Sequence, residues 1–243
     1  MKYYYDFHIH SCLSPCGDDD STPNNIAGMG VINGLNIMAL TDHNSCKNCP
    51  AFFTAAKRQG IIPIAGMELT TAEDIHAVCL FERLEDAMAF GDEVEKRRML
   101  VENRVDIFGN QFICDGEDNV IGEEPNLLSN ATTISIEEAP SLVKDFGGIC
   151  YPAHIDRSSN GIISTLGTFP PMKGVTCVEF HNKDLIEEYT EKYELRNLTK
   201  IVSSDAHYLW DISEKENYFE IDDEPYSGDL VRHRLFKMLR GEK

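Results

Sequence analysis

Two histidines one residue apart, His8 and His10, stand at the end of the run YYYDFHIH. Alternate side chains of a β-strand share a face, so an H-x-H pair can offer two imidazole nitrogens to one ion. The same mixture of imidazole and carboxylate recurs along the chain. Asp42 and His43 close NIMALTDH, Glu68 closes IIPIAGMEL, His154 closes GGICYPAH, and Asp205 with His207 closes KIVSSDAH. His181 lies near the end of GVTCVEFHN, and His76 lies near the start of DIHAVCLF. A lone DH or AH dipeptide is more often a packing or capping feature than a ligand, but the joint occurrence is harder to explain that way. Crowded carboxylates and imidazoles are penalised by repulsion and desolvation, and divalent cations remove that penalty. The pattern points to a site for several metal ions. Mixed nitrogen and oxygen ligation suits Zn²⁺, Mn²⁺ or Fe²⁺ better than Ca²⁺. A hydroxide bridging two such ions is a nucleophile at neutral pH, and the ions neutralise the attacking and leaving oxygens at phosphorus. No convincing Ser-His-Asp or Cys-His arrangement competes with this reading.

The elements that must position these residues are apolar runs at 3–10, 36–43, 61–69, 74–81, 147–154, 174–182 and 200–207. They alternate with amphipathic segments at 48–59, 83–104, 135–146 and 185–198. Such alternation predicts a parallel sheet covered by helices, and seven strands favour barrel-like closure. In a parallel barrel the strand C-termini open on one face, so ligands distant in sequence converge. The stretch 105–133 breaks the rhythm, and QFICDGEDNVIGEEP reads as a hairpin. With the helix before it, it forms an insertion of about 84–133 in a single domain spanning 1–243. Its acidic residues Asp115, Glu117, Asp118, Glu123 and Glu124 read as a solvated face.

The ordered set HIH (8–10), TDH (41–43), GMEL (66–69), IH (75–76), PAH (152–154) and SSDAH (203–207) resembles the polymerase-and-histidinol-phosphatase (PHP) family of metal-dependent phosphoesterases. The resemblance spans the chain from His8 to the C-terminal helix. It implies a distorted seven-stranded (β/α)7 TIM-like barrel binding two or three divalent ions (Zn, Mn or Fe) at its C-terminal face. By the same resemblance His8, His10, Glu68 and Asp205 bind one ion, and Glu68 bridges to a second held by His76 and His154. A third takes His43, His207 and a ligand from the loop after the first strand. Family members often have a histidine at the loop position where Cys16 stands here. Cys16 as thiolate, or Asp18, Asp19 or Asp20, would have to substitute, or the site holds two ions. Asp42 could bind metal directly or orient a neighbouring imidazole. Glu68, Asp205 and Arg157 form the expected catalytic set.

An anionic substrate needs positive charge near the metals. Arg157, three residues past His154, can grip a phosphate oxygen bidentately, and Lys183 is a second substrate-binding candidate. His181 matches no family ligand, and His233 reads as a helix-surface residue. The loop cysteines Cys12, Cys16, Cys46 and Cys49 are compatible with a further metal or redox site, although single C-x2-C pairs are often accidental. The 243 residues carry 22 Lys+Arg against 41 Asp+Glu, a net charge of -19. That balance argues against a nucleic-acid polymer as partner and for a small phosphorylated substrate. A monoester or diester fits. A 3'–5' DNA exonuclease is the alternative, followed by a metal-dependent C–N hydrolase. Apolar stretches are too short for a membrane span, and the N-terminus lacks a signal-peptide pattern, so a cytoplasmic location with reduced thiols is expected. Oligomeric state is not legible.

Overall fold

The computed structural model describes residues 1–242. In chain order the elements are β1 (Lys2–Asp6), α1 (Pro23–Ile32), β2 (Ile37–Leu40), α2 (Cys49–Arg58), β3 (Ile62–Thr70), β4 (His76–Phe81), α3 (Leu84–Glu95) and α4 (Val105–Phe108). They continue with β5 (Phe112–Cys114), β6 (Val120–Glu123), α5 (Ala139–Asp145), β7 (Ile149–Pro152), α6 (Ile162–Leu166), β8 (Cys177–Phe180), α7 (Ile186–Lys192), β9 (Thr199–Val202), β10 (Tyr218–Glu220) and α8 (Gly228–Leu239). Each of the seven expected strands is present.

The architecture is a curled half-barrel of six strands in the order β10-β1-β2-β3-β4-β7, with β8-β9 and β5-β6 as separate pairs. Two expectations need correction. The first is the parallel sheet: β1, β2 and β3 are parallel, but β4 is antiparallel to both β3 and β7. Only residues 71–75 join β3 to β4, too few for the crossover that a parallel connection needs. The second is closure, because no continuous seven-strand ladder forms among the described residues. Immediately after β7 the backbone at His154 turns to φ 24°, and the ladder to β8 reduces to single bonds such as Ile155 N–H to Glu179 O at 2.9 Å.

Period-two alternation sorts the side chains into two layers. Ile37, Ala39, Ile62, Ile64, Val78 and Leu80 face an inner cluster sealed by Val231, Leu235, Phe236 and Leu239 of α8. Met38, Leu40, Ala65, Met67, Cys79 and Phe81 face the helices. The parity that turns Ile62 and Ile64 inward also turns Glu68 inward. Gly66 between them is required by packing, since a Cβ there would lie 2.5 Å from Cys79 O.

The stretch 105–133 contains the expected β5–β6 hairpin, but α3 ends at Glu95, short of Arg104, and the chain continues as a turn and a loop with isolated bridges at Arg98 and Glu102. The solvated-face reading fails for two of its acids. Glu124 is buried, paired with Arg98 at 3.4 Å and with Lys47. Asp118 accepts from Asn24 N at 3.0 Å and Thr22 Oγ1 at 2.6 Å at the start of α1. Among the described residues no helix is long and apolar enough to cross a membrane.

Candidate metal centre

Glu68 is the hub. Its Oε1 lies 2.7 Å from His76 Nδ1, 3.1 Å from His154 Nε2 and 3.3 Å from His8 Nε2. Its Oε2 lies 3.0 Å from His43 Nδ1 and 3.4 Å from His10 Nε2. A carboxylate offers about four lone-pair positions, so five nitrogens cannot all be well bonded. Accordingly His8 Nε2, His43 Nδ1 and Glu68 Oε2 are buried without a hydrogen-bond partner among the described residues, as is the other ring nitrogen of His154, Nδ1. Buried unsatisfied groups are rare and call for a ligand or ion. This donor set fits divalent cations.

Asp205 sits beside the hub, its Oδ1 3.1 Å from His10 Nε2 and 3.4 Å from His8 Nε2. Three groups of donor atoms cluster within 4.8 Å: His8, His10, Glu68 and Asp205; His43, Glu68 and His76; His10, His43 and His207. The first holds the four residues that the resemblance implies for one ion; the third shares His43 and His207 with the implied third set but has His10 where a ligand from the loop after the first strand was expected. In the second, His43 accompanies His76, while His154 stays against Glu68 outside the triad. Cys16, Asp18 and Asp42 belong to none of the three. Cys16 is exposed, and Asp18 Oδ1 accepts from Asp20 N at 2.8 Å.

The reversal of β4 explains His76. A strand running against its neighbours brings its first residue, not its last, to the face where β3 and β7 end. Two other members sit on strained backbone: His154 and Asp205 (φ 54°) are in the left-handed region, a conformation that clusters at functional sites.

Charges in the cluster are tuned against one another. Burial disfavours the Glu68 carboxylate, but His76, His8 and His43 outweigh it and hold its pKa well below the usual range. Asp205 is lowered likewise, mainly by His8 and His10 working against burial. Burial opposes the imidazolium of His10, yet Asp205 and Glu68 raise its pKa to about 9. His8 is raised well above 6.5 by Glu179, Glu68 and Asp205, again against burial. Burial wins at His43, lowered to about 4, and at His207, lowered to about 3.

Asp42 is engaged by serines. Its Oδ1 accepts from Ser11 N at 2.7 Å and Ser14 Oγ at 2.8 Å, and its Oδ2 accepts from Ser11 Oγ at 2.8 Å. Ser14 Oγ in turn meets His10 Nδ1 at 2.9 Å, so Asp42 reaches the cluster through an imidazole. Ser14 and the buried Glu179 escaped the sequence reading. Glu179 carried a signal, since it is inward by parity with Cys177 and two residues before His181.

Arg157 stands at the mouth. One guanidinium nitrogen donates to Asp205 Oδ2, and the other lies 3.3 Å from His181 Nδ1. Both residues line a cavity of about 730 Å³ with Lys183, Ser204, Asp211 and Glu216. Lys183 is bonded to Glu216 at 2.6 Å. His233 is exposed and pairs with Glu82. The loop cysteines do not converge: Cys12 Sγ lies 3.6 Å from Cys114 Sγ, and Cys46 and Cys49 both approach Gly66 O.

The family model of the PHP domain matches residues 6–235. The chain belongs to the PHP family. PHP proteins are metal-dependent hydrolases, and this chain is an enzyme of that type. No curated protein matches it. Among solved structures, the PHP chain is similar to the lesion-specific endonuclease EndoQ from Pyrococcus furiosus, at 16% identity and TM-score 0.66. That match covers 99% of this chain and 56% of EndoQ, so the chain spans little more than half of that protein. A metal-dependent phosphoesterase from Bifidobacterium adolescentis is similar at 17% identity and TM-score 0.63, covering 99% and 97% of the two chains. An amidohydrolase from Chromobacterium violaceum matches at 18% identity and TM-score 0.56, covering 88% and 91%. At these identities the likeness concerns the PHP fold. It also corrects one expectation. Another matching structure is EndoQ with a 27-mer duplex carrying an abasic lesion at the active site, so the acidic balance of this PHP chain does not exclude a nucleic-acid partner.

Proposed function

We propose that the protein hydrolyses a phosphomonoester or phosphodiester with two or three divalent ions (Zn, Mn or Fe) held by His8, His10, His43, Glu68, His76, His154, Asp205 and His207. The observation that carries the reading is Arg157, poised between the donor cluster and the large cavity. Bound ions would activate water and offset charge at phosphorus. Glu68 and Asp205 supply the negative charge that gathers them. Arg157 then binds a phosphoryl oxygen, exchanging Asp205 for a ligand of the same charge type. His181 and Lys183 line the space for the remainder of the substrate. A cavity of about 730 Å³ falls in the range of small-molecule sites.

Cleavage of a nucleic-acid phosphodiester is the second reading, favoured by the EndoQ likeness along 99% of the chain. A C–N hydrolase rests on fold likeness alone, and the guanidinium at the mouth favours an anion. We also read residues 1–243 as one domain carrying the 84–133 insertion, its strands approximating a distorted seven-stranded barrel. In support, β7 approaches β8 through Ile155, and the Ile9–Ala206 bridge links the segment after β9 to that after β1. The eight free cysteines suit a reducing, cytoplasmic location.

The test is elemental analysis of the purified protein followed by assay of phosphomonoesters, phosphodiesters, single-stranded DNA and duplex DNA containing an abasic site. Release of phosphate or cleavage of a phosphodiester supports the proposal. No turnover of any of them by fully loaded protein rejects it.

A further inference from the structure

We propose that Glu179 is a positioning residue of the metal centre, orienting His8 and His154 from β8. The inference rests on the metal reading of the cluster. Glu179 is 1% exposed, with its Oε1 2.8 Å from His8 Nδ1. The same oxygen accepts from the backbone N–H of His154 at 3.1 Å. Glu179 thus touches both a donor of the first metal group and the strained residue that follows β7.

Two arguments separate this role from packing. Glu179 shares the inner face with Cys177, close to the apolar cluster that includes Tyr151 and Ile201. Its only ion-pair partner among the described residues is His8, and its Oε2 has no hydrogen-bond partner there. A carboxylate buried this way is costly unless its charge has a use. Ring geometry supplies one. Nδ1 and Nε2 lie on different edges of an imidazole, so a carboxylate fixing Nδ1 turns Nε2 toward Glu68 and Asp205, at 3.3 and 3.4 Å. A metal-bound histidine commonly donates its other N–H to such a carboxylate, which fixes the ring's tautomer and orientation. Glu179 itself joins none of the three donor groups. His10 is held differently, by the Ser14 hydroxyl, so Glu179 is the carboxylate partner specific to His8.

The experiment is Zn²⁺ titration against a competing chelator for the wild type, Glu179→Gln, Glu179→Asp, Glu179→Ala and His8→Ala. Metal-free melting temperatures monitor the fold. Ring ¹⁵N spectra of the zinc-loaded proteins report the Nδ1–H of His8. Glu179→Ala and Glu179→Asp, which remove or withdraw the oxygen, should weaken zinc binding about 10–100-fold and broaden or lose the Nδ1–H signal. Glu179→Gln retains an acceptor oxygen and should stay within a few-fold of wild type. Wild-type affinity and an intact Nδ1–H signal in folded Glu179→Asp or Glu179→Ala would overturn the role while leaving the metal reading standing. If Glu179→Ala does not fold, Glu179→Asp against Glu179→Gln decides by the same criterion. If the wild type takes up no zinc, the metal reading fails and the role with it.

Discussion

His76 Nδ1 approaches Glu68 Oε1 to 2.7 Å as a diagonal contact across the antiparallel pair β3–β4. Thr70 pairs with His76 and Val78 with Glu68, so the two side chains lie two registers apart on the same face. The hairpin therefore supplies two neighbouring members of the cluster from one short stretch of chain. The remaining donors arrive from the segment that follows β1, the loop after β2, and the segments that follow β7 and β9.

His10 takes part in two of the three donor groups. Its replacement, His10→Ala, should lower phosphoester hydrolysis by on the order of 1000-fold, since metal-borne charge stabilisation amounts to several kcal/mol. Phosphate release at saturating metal measures it. Chelation of the wild type should cause a similar loss, reversed by restoring the ion.

Arg157 is the cation shared by the cluster and the cavity. Losing a charged hydrogen bond to substrate costs about 1.5–3 kcal/mol, so Arg157→Ala should reduce kcat/KM roughly 10- to 150-fold, chiefly through KM. Unchanged kinetics would remove Arg157 from substrate binding.

The Glu124 pair concerns stability. Burial opposes its ionisation, but Lys47 and Arg98 prevail and lower its pKa. A lowered carboxyl pKa stabilises the fold above the unfolded value near 4.3 and ceases to do so as pH falls through the folded value. Glu124→Ala leaves the Arg98 side chain, 1% exposed, without one partner and should destabilise by about 3 kcal/mol at neutral pH. Melting temperatures of Glu124→Gln should depend less on pH below about 4.5 than those of the wild type.

Cys16 is the exposed cysteine; the other seven are buried. A hydrogen bond with Cys49 and burial push the Cys46 thiol well up, and burial does the same at Cys79. Brief iodoacetamide treatment of the native protein should therefore add a single carbamidomethyl group, seen by mass spectrometry and absent in Cys16→Ser. The same variant should retain its full metal content, and a loss of metal would restore the thiolate as a ligand.

Much of this was legible in the residues. Strand ends marked by His8, Asp42, Glu68, His154 and Asp205 announce themselves because the side-chain period is two and the polar residues interrupt apolar runs. The direction of β4 was misread as parallel although the residues carried the signal: four residues separate the runs at 61–69 and 74–81, a gap no crossover can bridge. Helix α1 was hidden by Gly28 and Gly30, poor helix formers by propensity. Gly30 is tolerated because Met38 packs there, where a Cβ would fall 2.0 Å from its sulfur. Glu124 was misread because an acidic run gives no hint that Arg98, distant in sequence, returns to bury it. Glu179 stayed hidden because its role depends on which edge of the His8 ring it meets, a matter of tertiary geometry.

The left-handed backbone at His154 and Asp205 bears on how such a protein would decay. Glycine and asparagine suit that conformation well, and each would erase the ligand it replaced. A lineage released from selection for hydrolysis could drift to them at these positions with its architecture untouched. Glycine or asparagine at 154 and 205 would be the fossil trace of a retired enzyme.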